Sequence, residues 1–390
     1  MILIRENSLG RTITGISLLL FIGTMSVVGF FTPDKSFSNS ENRVLEKWPN
    51  FSLRTLQTGA FTEDYEQYVT DQFAIRDVWI GMKTDVDRVM GKKDSNGIYL
   101  GADGYLIQSF NSPQDEEVAE RVEAIALFHQ ATPGIRKYIM LVPTAASLLH
   151  HKLPAYAPVD DERAVLIRIR AMLERLQPDI RFVDVFPALY AKREESIVYT
   201  TDHHWTTSGA YYAYQVLCEQ MGIVPNDESA FHIRQVTDAF YGSIYSKSGF
   251  RHLQPDRINL YVPKEERQLK VEYVDEGRIT DTLYELDNLD KKDKYAVFLN
   301  GNHALIRITT EQPSGKKLLV VKDSYANSMI PFLTEHFTEI DVVDLRYYSD
   351  SLTELATVRE YDDMLVLYNI HTYLEDTFIL NLTDTWSDRW

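Results

Sequence analysis

Thr12 to Phe31 carries no charged residue, and from Ile13 onward it reads ITGISLLLFIGTMSVVGFF. About 20 apolar residues span a bilayer as a helix. Arg5 and Arg11 precede the run, so the positive-inside rule keeps the N-terminus in the cytoplasm. The run exceeds most signal-peptide cores and lacks a small-x-small cleavage site near Gly29. An uncleaved anchor is therefore expected ahead of a cleaved signal or a buried helix. Residues 32–58 are polar and Pro-bearing, the pattern of an extended stalk. Residues 59–90 place Phe61, Tyr65, Tyr68, Val69 and Phe73 near helical spacing.

Asn96-Gly97 and Asp103-Gly104 bracket Ile98-Tyr99-Leu100 and Tyr105-Leu106-Ile107, which predicts a hairpin. Residues 114–131 and 160–176 read as helices, and so does Ser208 to Gly222. Lys137 to Pro143, KYIMLVP, is a continuous apolar run that suits a strand buried on both faces. Arg181 to Val185 reads as another strand. Residues 230–310 show short alternating runs and little helical period, hence a β-rich insertion, with Ala296 to Leu299 as one strand. Lys317 to Val321, Ile340 to Leu345 and Leu365 to Tyr368 are strands separated by helices at 325–337 and 352–359. That alternation predicts an α/β fold with a parallel sheet flanked by helices.

Composition narrows the function. Over 390 residues there are 40 Lys+Arg against 57 Asp+Glu, a net charge of −17. Such a balance disfavours nucleic-acid binding, which needs a basic face. It also disfavours attachment to anionic headgroups. Cys218 is the sole cysteine, which excludes an internal disulfide framework and multi-cysteine metal sites. On an apolar helix it reads as a small buried hydrophobe. An acidic, disulfide-free ectodomain fits the outer face of a bacterial membrane.

Two motifs carry candidate chemistry. In Thr201-Asp202-His203-His204-Trp205-Thr206, an Asp two residues before a His can orient that imidazole and leave its other nitrogen free as a base. In Lys322-Asp323-Ser324-Tyr325-Ala326-Asn327-Ser328, a serine follows a buried strand and opens a helix. Its hydroxyl would project over the C-terminal edge of the sheet, where α/β ligands bind. Simpler readings compete. Ser324 serves equally as a helix cap, and Asp202 with His204 as a loop pair. His203 and His204 as metal ligands lack H-x-H or H-E-x-x-H spacing. Trp205 is expected to pack beneath the loop. Gly301-Asn302-His303 either reaches the cleft or is a plain turn, and Tyr99 and Tyr105 either stack on sugars or fill the core.

TTDHHWTTSGAYYAY and KDSYANSMIPFL resemble the DHHW family, which belongs with the SGNH-hydrolase-like domains of alginate O-acetylation proteins of the AlgX and AlgJ type. ENRVLEKWP, GKKDSNGIYLGADGYLI, KYIMLVPTAASLLHHKLP, FLNGNHALI and VVDLRYY extend the resemblance over residues 40–373. It implies an SGNH-like fold with a circularly permuted motif order. By position it makes Asp202 the orienter, His204 the base and Ser324 the nucleophile. For the oxyanion hole or substrate it points to the Tyr325 backbone N–H, Asn369, and Arg346 where a glycine is usual. Arg346 is alternatively the partner of an acidic neighbour.

The expectation is a membrane-anchored extracytoplasmic serine O-acetyltransferase that passes acetyl to a polysaccharide through an acetyl-serine. No metal or diffusible cofactor is called for. Acetyl-CoA does not occur outside the cell, so the resemblance implies a membrane-bound O-acyltransferase partner as donor. The expected organisation is a cytoplasmic tail (1–11), a transmembrane anchor (12–31), a stalk and juxtamembrane helical region (32–95) and a catalytic domain (96–390, with the insertion at 230–310). An SGNH-type esterase, a non-catalytic polysaccharide-binding or assembly protein, and a structural surface scaffold are the rivals.

Overall fold

The computed structural model describes residues 8–38, 41, 43–265 and 267–383. Arg5 and part of the expected tail lie outside them. The chain forms two compact units, one of residues 1–92 with 249–251, the other of 93–248 with 252–390.

In the first unit, Ser8–Phe31 is one helix, and its segment Gly10–Phe31 is long and apolar enough to cross a membrane. The segment expected as an extended stalk, 32–58, is not extended throughout: Leu53–Thr58 is a short helix capped by Ser52. The Gln72 side chain bonds both the N–H and the carbonyl of Lys35, and the carbonyl of Glu46. Asp71, buried, is gripped by the Arg43 guanidinium. The helical run 59–90 is two helices, Ala60–Asp71 and Arg76–Val89. They part at Ile75, whose φ of 51° is a left-handed conformation that a β-branched residue resists.

The second unit is built on an eight-stranded sheet. In chain order its strands are β1 (Arg136–Val142), β2 (Arg181–Phe182), β3 (Leu269–Tyr273), β4 (Arg278–Thr280), β5 (Leu305–Thr310), β6 (Lys317–Lys322), β7 (Glu339–Val343) and β8 (Asp363–Asn369). Their order across the sheet is β4-β3-β5-β7-β6-β8-β1-β2. From β7 to β2 all pairs are parallel. The runs LLVV, MLVLY and YIMLV are buried throughout because helices cover both faces. This is the mixed α/β architecture that the alternation predicted, with three corrections.

First, the sheet is not wholly parallel. The last strands of the insertion, β3, β4 and β5, extend it antiparallel along β7. Of the insertion's described strands, Phe231–Phe240 and Asp256–Pro263 stand apart as their own two-stranded sheet. Second, residues 325–337 are not one helix. A 3₁₀ turn, Ser324–Ser328, is followed by a short helix, Ile330–Leu333. Pro331 is tolerated only in a helix's first turn, so the chain restarts there. Third, Ala296 to Leu299 is no strand. Lys294–Val297 is a 3₁₀ turn, and Leu299, Asn300 and Gly301 all have positive φ.

Chain order sets where the chemistry sits. After β6 the chain makes β7 on one side, then β8 on the other. That reversal is a topological switch point, and it opens a crevice at the carboxyl end of β6. Ser324 stands two residues beyond that end.

Candidate active site

The Asp-His-His-Trp loop is folded before it meets the sheet. Val198 and Trp205 form an antiparallel bridge, and Tyr199 N–H donates to the His204 carbonyl at 3.1 Å. Asp256, at the start of the ribbon's second strand, accepts from Thr200 N–H and Thr201 N–H, each at 2.8 Å, and from the Thr201 hydroxyl at 2.6 Å. Leu106 of the hairpin donates to the Thr200 carbonyl at 2.8 Å. Trp205 is buried below, its indole N–H on the Tyr325 carbonyl at 2.8 Å.

Three side chains then line up. Asp202 Oδ1 lies 2.5 Å from His204 Nδ1, and His204 Nε2 lies 2.7 Å from Ser324 Oγ, across 120 residues of sequence. The other Asp202 oxygen accepts from Ser243 N–H at 2.7 Å. Burial and the neighbouring His203 push His204 from 6.5 down to about 4, against the pull of Asp202. Burial opposes the charge on Asp202, but His203 and His204 hold it well below the usual carboxylate range. The pair is therefore an ionised carboxylate beside a neutral imidazole, which keeps its proton on Nδ1 and leaves Nε2 free to accept from Ser324.

Asp202, His203 and His204 offer ligand atoms within 4.8 Å of one another. A zinc ion needs about 2.0–2.1 Å to nitrogen and a similar distance to a carboxylate oxygen. Between Asp202 and His204, at 2.5 Å, there is no room for it. His203 instead bonds Ser243 Oγ at 2.7 Å.

The expected oxyanion groups divide. Tyr325 N–H is committed to Asp323 Oδ1 at 2.9 Å, so it is not a free donor. Arg346 grips Asp344 with Nε at 2.8 Å and Nη2 at 2.6 Å. It is the partner of an acidic neighbour, and its charge also helps lower His204. Asn369 is the group left free. Its Oδ1 caps the next helix through His371 N–H and Thr372 N–H, while Nδ2 is buried with no partner among the described residues. Lys322 pairs with Leu367, so parallel register sets Ser324 and Asn369 level at adjacent strand ends. Asp323 ties the two together, accepting Asn369 N–H at 2.9 Å on its second oxygen.

Gly301-Asn302-His303 lies under the corner. Asn302 Oδ1 accepts from Lys322 Nζ at 2.7 Å and Asn327 Nδ2 at 3.2 Å, while His303 is buried against Asp275. Tyr99 is core, and Tyr105 carries Lys152 over its ring. Neither offers a bare face to a sugar. Cys218 is buried and pushed up to about 12, which makes it an inert thiol.

Two contributors escaped sequence reasoning. Tyr295 stacks on the His204 ring, with centroids 3.8 Å apart and planes 12° apart, and its hydroxyl reaches Ser328 Oγ at 3.1 Å. Gly242 backs Asp202 so closely that a Cβ there would collide with the carboxylate side chain. Tyr295 sits in a turn remote in sequence from the motif, and Gly242 lies among ordinary loop residues. Neither carries a local signal.

The model of the DHHW protein family matches residues 83–343. The chain belongs to the DHHW family. Among solved structures, a DHHW family protein from Eubacterium siraeum superposes with a TM-score of 0.64 at 22% identity, covering 74% of this chain and 95% of that one. Bacillus cereus PatB1, solved with a sulfonyl adduct, gives 0.59 at 19%, covering 72% and 97%. The O-acetyltransferase domain of Pseudomonas putida AlgJ gives 0.48 at 14%, covering 75% and 98%. The first two likenesses establish that this DHHW chain shares the fold of those proteins. No curated protein matches it.

Proposed function

We propose that this DHHW protein is an extracytoplasmic serine O-acetyltransferase acting on a polysaccharide. The carrying observation is the continuous line Asp202–His204–Ser324, with a neutral base 2.7 Å from the hydroxyl. In this reading His204 takes the Ser324 proton as Oγ attacks an acetyl donor. The developing oxyanion is met by Asn369 Nδ2, which has no partner among the described residues, and by Ser324 N–H at the start of the 3₁₀ turn. Collapse leaves an acetyl-serine. A sugar hydroxyl, relieved of its proton by the same imidazole, then takes the acetyl. The helix within 12–31 holds residues 32–95 and the catalytic domain, 96–390, outside the membrane. There a membrane-bound O-acyltransferase supplies the acetyl group. Transfer to water by the same triad is the esterase reading.

The test is intact mass followed by peptide mapping. Full-length protein in detergent is incubated with 4-nitrophenyl acetate and quenched in acid. An adduct of about 42 Da, one acetyl in place of one proton, on the peptide carrying Ser324 is expected. No adduct, or one that sits elsewhere, sinks the assignment.

The buried base sets the pH profile. A base must be neutral to act, so activity is present above its pKa and lost below it. With His204 near 4, kcat/KM for nitrophenol release should hold at pH 5 and fall tenfold per unit only below about 4. A break near 6.5 contradicts the burial argument.

Tyr295 is a positioning residue, since it acts through His204. Tyr295→Ala opens the imidazole to water and frees its plane. A fall in kcat of roughly tenfold is expected, with the acid limb rising toward 6.5. Tyr295→Phe keeps the ring and should leave the limb near 4. Equal limbs in both variants reduce Tyr295 to packing.

A further inference from the structure

A cleft of about 140 Å³ adjoins the triad on the β8–β1 side. Its wall includes Gln108 of the hairpin, Thr144 just beyond β1, His203 of the Asp-His-His-Trp loop, Lys247 of the short helix Ser243–Ser248, Asn369 at the end of β8 and Glu375 beyond it. The His203 ring is 3.8 Å from that of His204, so the cleft begins where the base ends. Among the described residues, Asn369 Nδ2 is a buried donor with no hydrogen-bond partner, and Lys247 is exposed with no ion pair.

One wall is pre-set. Glu375 pairs with His371 Nδ1 at 2.9 Å, and His371 Nε2 meets Gln108 Nε2 at 3.0 Å. Gln108 has only hydrogens on that nitrogen, so His371 Nε2 accepts and Nδ1–H donates to Glu375. The chain Glu375–His371–Gln108 thus fixes the amide and leaves its carbonyl and second N–H for a ligand.

The donor set identifies the ligand chemistry. Lys247 and Asn369 Nδ2 only donate, Glu375 only accepts, and Gln108 does both, while the Thr144 hydroxyl is committed to Glu162. One ammonium and one carboxylate cancel. With those charges balanced the cleft gives a polyanion no net attraction, whereas sugar hydroxyls and acetamido groups match mixed donors and acceptors. We propose that this cleft is the acceptor subsite, built for a neutral sugar unit, with Gln108 and Lys247 as specificity-determining residues. The proposal rests on the transferase reading above. In the step it serves, the sugar oxygen bonds the acyl carbon and its proton goes to His204 Nε2. The acyl–Oγ bond breaks, and Ser324 Oγ recovers the proton.

The experiment measures partition. Full-length protein in detergent receives 4-nitrophenyl acetate with cellopentaose, chitopentaose or a galacturonate pentamer. Acetyl on the sugar is counted by mass, and free acetate by assay. Wild type should acetylate a neutral pentamer in preference to the galacturonate one. Gln108→Ala and Lys247→Ala should each cut the transfer-to-hydrolysis ratio by tenfold or more. A structural defect would lower both products and leave the ratio alone. Lys247 is exposed, so its variant reports even where Gln108→Ala folds poorly. Unchanged ratios overturn the proposal. So does transfer only to galacturonate, or nitrophenol release with no sugar acetylated. Absence of any Ser324-dependent release defeats the parent reading instead, and the subsite falls with it.

Discussion

Ser324→Ala is expected to abolish the acetyl-enzyme and cut nitrophenol release by about four to six orders of magnitude. His204→Ala should fall nearly as far, and the double variant no further than the worse single one. The reason is geometric. Ser324 Oγ and His204 Nε2 share one hydrogen bond at 2.7 Å, so each is without use when the other is gone. Members of such a unit are strongly non-additive. Single-turnover kinetics with 4-nitrophenyl acetate, together with circular dichroism to verify folding, would decide it. If Ser324→Ala retains wild-type release, Ser324 is a bystander in the turn that Asp323 caps, and the binding or assembly reading takes over. If the two single losses multiply in the double variant, the groups act separately and the triad is wrong.

Gly242→Ala should be the most damaging substitution outside the triad. Gly242 is buried, its N–H donates to Thr201 Oγ1 at 3.2 Å, and Ser243 N–H holds Asp202 Oδ2 at 2.7 Å. A methyl group at 242 would occupy the space of the Asp202 side chain, so the carboxylate must move. A misplacement of about 1 Å in a catalytic group costs on the order of 100-fold. Asp202 also fixes the tautomer of His204, and losing that role costs about 10⁴-fold in a serine triad. Gly242→Ala should therefore lower kcat by between about 10² and 10⁴ while KM for the small ester changes little. The imidazole Nδ1 proton resonance, shifted far downfield by the short bond to Asp202, should move or vanish. Wild-type kcat with an unmoved resonance would show that the loop yields easily and that the close approach has no role.

Local chemistry made part of the site legible. Asp202 and His204 are two residues apart, and a loop closed by Val198 and Trp205 turns that spacing into a contact. The β6 run ending in Lys-Asp-Ser announced a serine at the sheet edge. Oxyanion reasoning from position alone fared less well. Tyr325 follows the serine as expected, but Asp323 caps the 3₁₀ turn through its N–H and removes the donor. Arg346 follows β7 as expected, but Asp344 two residues earlier holds its guanidinium in a fork. In both cases a carboxylate decided the outcome, and sequence does not show which donor a carboxylate will take.

The sequence by itself determined the apolar runs that make β1, β6 and β8 buried parallel strands. It also determined the separation of Asp202 from His204, the lone cysteine and the apolar N-terminal run. Those properties belong to one segment each, and periodicity or composition expresses them fully. Tertiary structure alone decided that β3, β4 and β5 continue the sheet antiparallel, since an edge pairing depends on what lies beside it. It decided that His204 meets Ser324 across 120 residues, that Tyr295 lies flat on the imidazole, and that Gly242 makes room for Asp202. Each of these contacts joins segments with no shared local pattern, and only the packing of the chain on the β6 switch point brings them within hydrogen-bonding distance.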